Sequence, residues 1–284
     1  MKQLKENGMR LVFLLTACVS IASVALICVF LFANGLPAIG KIGPANFLLG
    51  TEWRPSNDIY GIWPMIVGSI YVTAGSLLIG VPIGILTAIF LARFCPKGLY
   101  KIIKPAVSLM AGIPSVVYGF FGLVVLVPLV RELFGGRGMS VLTASLLLGL
   151  MLLPTIIGVA ETSIRAVPES YYEGALALGA THERSVFCAV VPAAKSGIFA
   201  GVVLGVGRAI GEAMAIIMVA GNVANMPGLF ESVRFLTTAI VSEMSYASYG
   251  SLHRDALFSI ALVLFAFIVV VNVILNLIAR RKED

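Results

Sequence analysis

The sequence has few charged residues. Asp, Glu, Lys and Arg make up 12% of its 284 residues, whereas soluble domains carry about 25%. A soluble protein of this length needs far more polar surface to cover its core. Hydrophobic residue types make up 59% of the chain, and its mean hydropathy is +1.02. This composition excludes a soluble enzyme, a nucleic-acid-binding protein and a disordered chain, and it predicts a protein of the lipid bilayer.

Cysteine and histidine are also scarce, with four and two residues respectively. The cysteines have neither disulfide nor metal-site spacing, so we interpret them as small apolar side chains: Cys18, Cys28, Cys95 and Cys188. His182 and His253 fall on opposite sides of the predicted membrane, which excludes a shared metal ion. Residues 35–41 have the spacing of a nucleotide-binding P-loop, but Ile42 replaces the required Ser or Thr. We therefore predict no metal, no cofactor, no ATP site and no enzyme active site in this chain.

Long uncharged runs predict an all-α polytopic membrane protein. A spanning helix needs about 20 apolar residues, and the runs are continuous rather than alternating, which argues against strands. One further span is apolar except for Arg208 and Glu212. We predict a single membrane domain over residues 1–284, with six spans at about 11–33, 65–92, 105–130, 138–160, 196–221 and 256–279.

The lysines and arginines predict the orientation of the chain. With six spans, both termini lie on one side of the membrane, and that side carries most of the basic residues. They include Lys2, Arg93, Lys104, Arg165 and Arg281. Both termini are therefore predicted to be cytoplasmic. The net charge of +6 follows from this topology and requires no nucleic-acid partner.

The longest cytoplasmic loop, residues 161–195, predicts two short helices. Pro168 suits a first helical position, and Gly179 suits a left-handed helix end. Thr181 can cap the second helix, with Glu183 in its first turn. A compact helical knob of this kind is suited to docking another protein. A solvated connector fits the same local pattern, and these signals alone leave both interpretations open.

The predicted fifth span carries the only candidate substrate site within the membrane. Arg208 and Glu212 are one helical turn apart, and Gly201 and Gly205 extend the same predicted face. Charges inside a membrane cost roughly 2.5–3.5 kcal/mol each, so they favour a functional role. Arginine suits an oxyanion because its planar fork donates two parallel hydrogen bonds. The alternative is a structural ion pair beside glycines that serve helix packing.

The cytoplasmic loop resembles the EAA loop of ABC importer permeases. The resemblance is carried by Glu173, Ala175, Gly179 and Pro192, whose spacing matches the family pattern Glu-Ala-Ala, three residues, Gly, nine residues, Ile-x-Leu-Pro. The chain departs from that pattern at Gly174, Ala189 and Val191. In that family the loop fits a groove on a cytoplasmic ATPase subunit. The resemblance therefore implies that these four matching residues form the ATPase coupling surface.

Other segments resemble the permeases of the high-affinity phosphate importer. They are residues 111–119, 165–168 and 207–215, while residues 47–55 are similar to the PstC-type subunit in particular. This resemblance covers about residues 45–250. It implies the type I permease fold of ABC importers, in a bacterial cytoplasmic (inner) membrane. The sister PstA-type subunit, or a permease for another oxyanion, remains an alternative.

The resemblance also implies the partners and the transported ion. They are a second permease subunit, two cytoplasmic ATPase subunits, an extracytoplasmic phosphate-binding protein and inorganic phosphate. Arg208 and Glu212 match the family residues on which transport depends, and we expect Arg208 to bind phosphate transiently while Glu212 holds its guanidinium. Ser115 faces the pathway or satisfies a proline kink. A proton-coupled transporter that uses Glu212, and a membrane receptor or scaffold, are the other classes that the residues allow.

Overall fold

The computed structural model describes residues 2–280, which are almost entirely helical apart from one two-stranded hairpin. Within these residues, five helices are long and apolar enough to cross a membrane. A sixth span is obtained when the two helices on either side of Ala194, which are bent by 68°, are counted as one. The expectation of a polytopic helical membrane protein is confirmed.

Most of the described elements follow one another with short connections, whereas a long segment without helix joins Val219 to Leu236. The helices are α1 (Lys2–Ile42), α2 (Pro44–Leu49), α3 (Trp63–Ile89), α4 (Lys97–Gly112), α5 (Ser115–Phe121), α6 (Val127–Phe134), α7 (Val141–Arg165), α8 (Glu169–Ala177), α9 (His182–Ser185), α10 (Val191–Ala193), α11 (Lys195–Gly211), α12 (Met214–Val219), α13 (Leu236–Glu243) and α14 (Leu252–Arg280). Antiparallel strands β1 (Trp53–Arg54) and β2 (Ile59–Tyr60) flank a 3₁₀ turn at Pro55–Asn57. Short π-helical segments lie at Phe90–Phe94, Gly122–Leu126 and Val186–Val190.

Helix α7 forms the centre of the bundle. Its Leu147, Leu152 and Ile156 side chains are completely buried. Helix α3 runs parallel to it at close range, because a Cβ atom on Gly80 would lie only 3.0 Å from the backbone oxygen of Gly149. Small residues at such crossings let two helices pack backbone to backbone, which is the main source of helix association in lipid.

Helix α1 lies on the outside of the bundle and packs against α14. The Ser259 hydroxyl donates a 2.7 Å hydrogen bond to the carbonyl oxygen of Gly35. A Cβ atom at Gly35 would lie 3.1 Å from the backbone oxygen of Phe258, so glycine permits this close approach. Residues 35–41, which have P-loop spacing, are helical and part of α1.

The predicted third span, residues 105–130, is divided between two helices. Helix α4 ends at Gly112, and α5 begins at Ser115. Between them, Ile113 and Pro114 have extended backbones, with ψ angles of 126° and 142°. A proline disfavours the helical conformation at the residue before it. The chain therefore leaves the helix at Ile113, and the helix that is long enough to cross a membrane runs from Ser115 to Phe134.

The predicted fifth span, residues 196–221, is also broken. Helix α11 ends at Gly211, Glu212 is extended with ψ 130°, and α12 starts at Met214. The Thr237 hydroxyl donates a 2.9 Å hydrogen bond to the carbonyl oxygen of Glu212. A contact with a distant part of the chain thus takes the acceptor that a continuous helix would use.

Candidate transport pathway and coupling loop

Arg208 lies near the middle of the bundle. Helix α11 runs antiparallel to α7, and Gly205 packs against Ile156. Further along, Glu212 and Leu148 line the same small cavity. Arg208 falls between these two levels, which places it about 17 Å from the start of α7 and about 20 Å from its end, at 1.5 Å per residue. This is the depth at which a charged side chain is most costly in a bilayer.

The guanidinium of Arg208 has no partner among the residues that the structure describes. Arg208 is half-buried, and no hydrogen bond or ion pair joins it to another side chain within residues 2–280. Ala209, the residue after Arg208, belongs to the same buried apolar cluster as Tyr118 of α5. The five N–H donors of this arginine are therefore available to an incoming ligand or a partner chain.

The glycines beside Arg208 are occupied by another helix. A Cβ atom on Gly201 would lie 3.2 Å from Cβ of Val159, and one on Gly205 would lie 3.2 Å from Cγ1 of Ile156. Both contacts are with α7. The sequence allows these glycines to belong to a substrate site or to serve helix packing, and the structure supports helix packing.

Glu212 does not pair with Arg208 in this structure. The helix break turns its carboxylate toward α12, where Oε1 accepts a 3.2 Å hydrogen bond from the backbone N–H of Ala215. Glu212 also lines a small cavity with Ser69 and Thr237. The volume of this cavity, about 10 Å³, is enough for about one water molecule. The shared helical face predicted from the four-residue spacing is not formed, because α11 ends between the two residues.

Ser115 lies at the neighbouring break, at the first residue of α5, and is half-buried. One turn further, the hydroxyl of Tyr118 donates a 2.9 Å hydrogen bond back across the break to the carbonyl oxygen of Met110. A Cβ atom on Gly119 would lie 2.9 Å from Cα of Ala215 in α12. The two broken helices therefore pack against each other, and the structure brings Ser115, Arg208 and Glu212 into one region.

The four predicted coupling residues lie at the end of the bundle where α7 ends and α11 begins. Gly179 has φ +84° and ends α8. Its N–H donates to Leu176, and the N–H of Ala180 donates to the carbonyl oxygen of Ala175. This pair of bonds is a Schellman motif, which requires a left-handed residue at that position. The four-residue spacing of Ala175 and Gly179, which matches the EAA pattern, is thus explained by the hydrogen bonds at the end of α8.

Glu173, Gly179 and Pro192 are exposed, and Ala175 is half-buried. Pro192 lies on α10, immediately before the bend at Ala194. Leu178, next to Gly179, is 91% exposed. Tyr171 and Leu176 of α8 are also exposed, at 54% and 40%, and a group of exposed apolar side chains is typical of a surface that another protein covers.

The loop is held to the rest of the bundle by polar and aromatic contacts. Arg93, in the π-helical segment after α3, forms a 2.9 Å ion pair with Glu169 at the start of α8. Tyr172 of α8 hydrogen bonds to His182 of α9 at 2.7 Å. Thr181 caps α9 as predicted, accepting from the N–H of Arg184. The backbone N–H of Glu183 itself, and after it the hydroxyl of Thr181, hold the pKa of the Glu183 carboxyl below its usual range.

Sequence reasoning missed a charged cluster at the C-terminal end of α7. Glu161 is 1% exposed and receives hydrogen bonds from three side chains, Lys104, Arg165 and Tyr100. The guanidinium of Arg165 also stacks over the ring of Tyr100 at 4.6 Å. The four-residue spacing of Glu161 and Arg165 at the end of a predicted span was the signal that could have indicated this cluster.

A second charged cluster, also missed, joins the outer segments. Glu243 at the end of α13 accepts hydrogen bonds from Arg234 and from the indole N–H of Trp53, and it pairs with His253 at 2.9 Å. The ring of Tyr60 packs edge-on against Trp53 at a centroid distance of 5.4 Å. Burial, together with Asp58, raises the pKa of Tyr60 to about 12. The segment around Trp53 and the end of α13 are thus parts of one surface.

Residues 80–284 match the model of the family described as "Binding-protein-dependent transport system inner membrane component". The chain belongs to this family. The matched region contains the coupling loop, both helix breaks and the Arg208 region. The expectation that the chain is an ABC importer permease is confirmed, and the chain is a multi-pass membrane protein.

Curated relatives of this permease cover most of its length. It is 39% identical to the probable ABC transporter permease protein YqgH of Bacillus subtilis, over 99% of this chain and 93% of the relative. It is 34% identical to the phosphate transport system permease protein PstC of Pasteurella multocida, over 84% of this chain and 80% of that one. It is 33% identical to the PstC protein of Haemophilus influenzae, over 96% and 90%.

Solved structures with the same fold are also ABC transporters. A bacterial alginate ABC transporter, solved in complex with an alginate-bound periplasmic protein, aligns with a TM-score of 0.64 at 17% identity and covers 94% of each chain. The MetNI methionine ABC transporter in an inward-facing conformation aligns with a TM-score of 0.60 at 18% identity, over 78% of this chain and 97% of that one. These likenesses confirm the expected all-α ABC importer permease fold.

Proposed function

We propose that this permease is one of two membrane subunits of an ATP-driven phosphate importer. The observation that carries the proposal is the unpaired Arg208 guanidinium beside two helix breaks near the middle of the bundle. The PstC proteins among its relatives support phosphate as the transported ion. A PstC-type role is preferred to a PstA-type role because PstC is the name that these relatives carry.

Arg208 is proposed to bind phosphate during its passage. Its planar fork matches two phosphate oxygens, and its mid-membrane depth strengthens the electrostatic attraction. Ser115, at the adjacent break, adds a hydroxyl that can donate to or accept from the same ion. Glu212 is proposed to act differently from the sequence expectation, by fixing the break and by placing a negative charge nearby that favours release.

The proposed partners follow from the number of spans in the chain and from its exposed surfaces. Six spans are too few to enclose a pathway alone, so a second, related permease subunit supplies the other half. The exposed surface of α8, with Glu173 and Leu178, is proposed to dock one of two ATPase subunits in the cytoplasm. Both chain termini then lie in the cytoplasm. The cluster around Trp53 and Glu243 lies on the opposite side, where a phosphate-binding protein delivers the ion.

Reconstitution tests this function directly. The permease is placed in proteoliposomes with its sister subunit, the ATPase subunits and the binding protein, and uptake of radiolabelled phosphate is measured with and without ATP. ATP-dependent uptake that requires all four components supports the proposal. Uptake that is driven by a proton gradient without the ATPase would instead identify a secondary transporter. Uptake of sulfate in preference to phosphate would identify a different oxyanion importer.

A further inference from the structure

Glu161 is a buried carboxylate for which the proposed function gives no role. It belongs to α7, but two of its hydrogen-bond donors, Tyr100 at 2.8 Å and Lys104, belong to α4. The third donor is Arg165, at 2.9 Å on its own helix. A buried charge is costly unless several groups satisfy it. Here the donors come from two helices, so the charge joins α4 to the cytoplasmic end of α7.

The same cluster extends to the coupling loop. The second terminal nitrogen of Arg165 donates a 2.6 Å hydrogen bond to the carbonyl oxygen of Leu91, in the π-helical segment after α3. Two residues later in that segment, Arg93 forms its ion pair with Glu169 of α8. The guanidinium of Arg93 also lies 5.8 Å from the ring centroid of Tyr172. A displacement of α8 therefore acts on this segment, and through it on Arg165 and Glu161.

In the other direction, α4 leads from Glu161 to the middle of the bundle. It is a helix of 16 residues, about 24 Å long. None of its residues is completely buried, and the ionic cluster joins it to α7 through the side chains of Tyr100 and Lys104. At its far end, the carbonyl oxygen of Met110 accepts the hydrogen bond from Tyr118. Tyr118 belongs to the same buried cluster as Ala209, the residue after Arg208.

We propose that Glu161 is a positioning residue that transmits movement of the coupling loop along α4 to the helix break beside Arg208. Glu161 holds α4 in register with α7 when α8 moves, so that the break at Pro114 moves with the coupling loop. Without the charge of Glu161, Lys104 and Arg165 repel each other, and α4 no longer follows. The inference rests on the proposed function, and it adds a residue outside the EAA motif and the pathway.

The test is the substitution Glu161→Gln in the complete complex in proteoliposomes. Glutamine keeps the size of the side chain and an acceptor for Tyr100 but removes the charge. We expect the number of phosphate ions imported per ATP hydrolysed to fall by about tenfold, within the usual range of coupling between sites, while ATP hydrolysis continues. Amide hydrogen exchange in residues 97–112 is expected to become faster, because α4 loses its attachment.

Two further sets of variants separate transmission from a loss of stability. Glu6→Gln removes an exposed carboxylate from α1 and should leave the transport ratio unchanged. Lys104→Met should lower the ratio, whereas Lys104→Arg, which keeps the charge, should restore most of it. Combining Lys104→Met with Glu161→Gln should cause no further loss, because both substitutions break the same contact.

An unchanged number of phosphate ions imported per ATP hydrolysed in the Glu161→Gln complex would overturn the inference. This includes the case in which less complex assembles, because transport and hydrolysis then fall together and their ratio stays the same. If the wild-type complex itself imports no phosphate, the proposed function fails. The exchange measurement then decides the inference separately, since it requires no transported ion. Unchanged exchange in residues 97–112 would show that Glu161 does not hold α4.

Discussion

The C-terminal end of α7 and the middle of α11 each hold a charged side chain inside the bundle. Glu161 is 1% exposed and receives hydrogen bonds from three side chains. Arg208 is half-buried and has no hydrogen bond or ion pair within residues 2–280. A charged side chain whose hydrogen-bond partners lie within the protein joins the helices that carry them. A charged side chain without such partners is available to bind a ligand or another chain. The outer cluster around Glu243 belongs with the first kind.

The largest effect is expected from the unpaired charge. Arg208→Gln should reduce phosphate uptake at least about 100-fold, because the variant loses the charge that stabilises the anion in the membrane. The thermal stability of the assembled complex should not fall, since no partner within the described chain is left behind. Uptake is measured in proteoliposomes, and stability by the loss of intact complex on heating. Normal uptake would refute the role of Arg208.

A paired charge should behave in the opposite way. Glu243→Gln removes the charge that Arg234 and His253 share, and it should destabilise the outer segments by about 2 kcal/mol, as expected for hydrogen bonds to a charged group. The melting temperature of the purified complex should fall. ATP hydrolysis in the absence of binding protein should remain. Glu132→Gln, an exposed carboxylate on the same side, is the matched control, and an equal loss of stability in both would contradict the prediction.

The packing face of α11 gives a smaller effect. Gly201→Leu should destabilise the bundle by about 1–3 kcal/mol, the usual cost of overpacking, because its side chain meets Val159 of α7. Gly207→Leu should cost much less, since no atom lies within 4 Å of a Cβ atom at that position. Stability of the purified complex is measured for both. If Gly201→Leu proves neutral for stability and blocks uptake, the glycines line the pathway instead.

The smallest effects are expected on α8. Gly179→Ala should cost about 1 kcal/mol, because alanine disfavours the left-handed conformation at φ +84°. Gly174→Ala lies inside the helix in open space and should stabilise it by up to about 1 kcal/mol. Hydrogen exchange in residues 169–178 of the assembled complex measures both changes. Equal exchange in the two variants would show that the helix end does not depend on Gly179.

Most of the helices and the coupling loop can be predicted from the sequence. Apolar runs located the spans, and Gly179 predicted the helix end because only a left-handed residue fits there. The position of the break at Pro114 is a local effect of proline. The break at Glu212 is not, since it depends on Thr237, 25 residues away. Spacing rules assume a continuous helix, so they paired Glu212 with Arg208 when the fold separates them.

Beyond the spacing of Glu161 and Arg165, the members of the two charged clusters could not be predicted, for a related reason. Their members come from segments that are far apart in the chain, such as Trp53 and Glu243 at a separation of 190 residues. The basic residues at the ends of the spans are also explained by the orientation of the chain in the membrane, which such residues set. Nothing in the sequence distinguishes Lys104, which pairs with a buried carboxylate, from a lysine that only faces the cytoplasm.

Helix α1 is synthesised long before α14, the helix against which it packs. Ser259 and Gly35 are 224 residues apart in the chain. At roughly 5–20 residues per second, the ribosome makes the helix that covers α1 about 10–45 s after α1 itself. During this time α1 resides in the membrane without its partner. Its apolar surface is suited to that interval, because α1 can be inserted and held by lipid alone until the last helix arrives and closes the bundle.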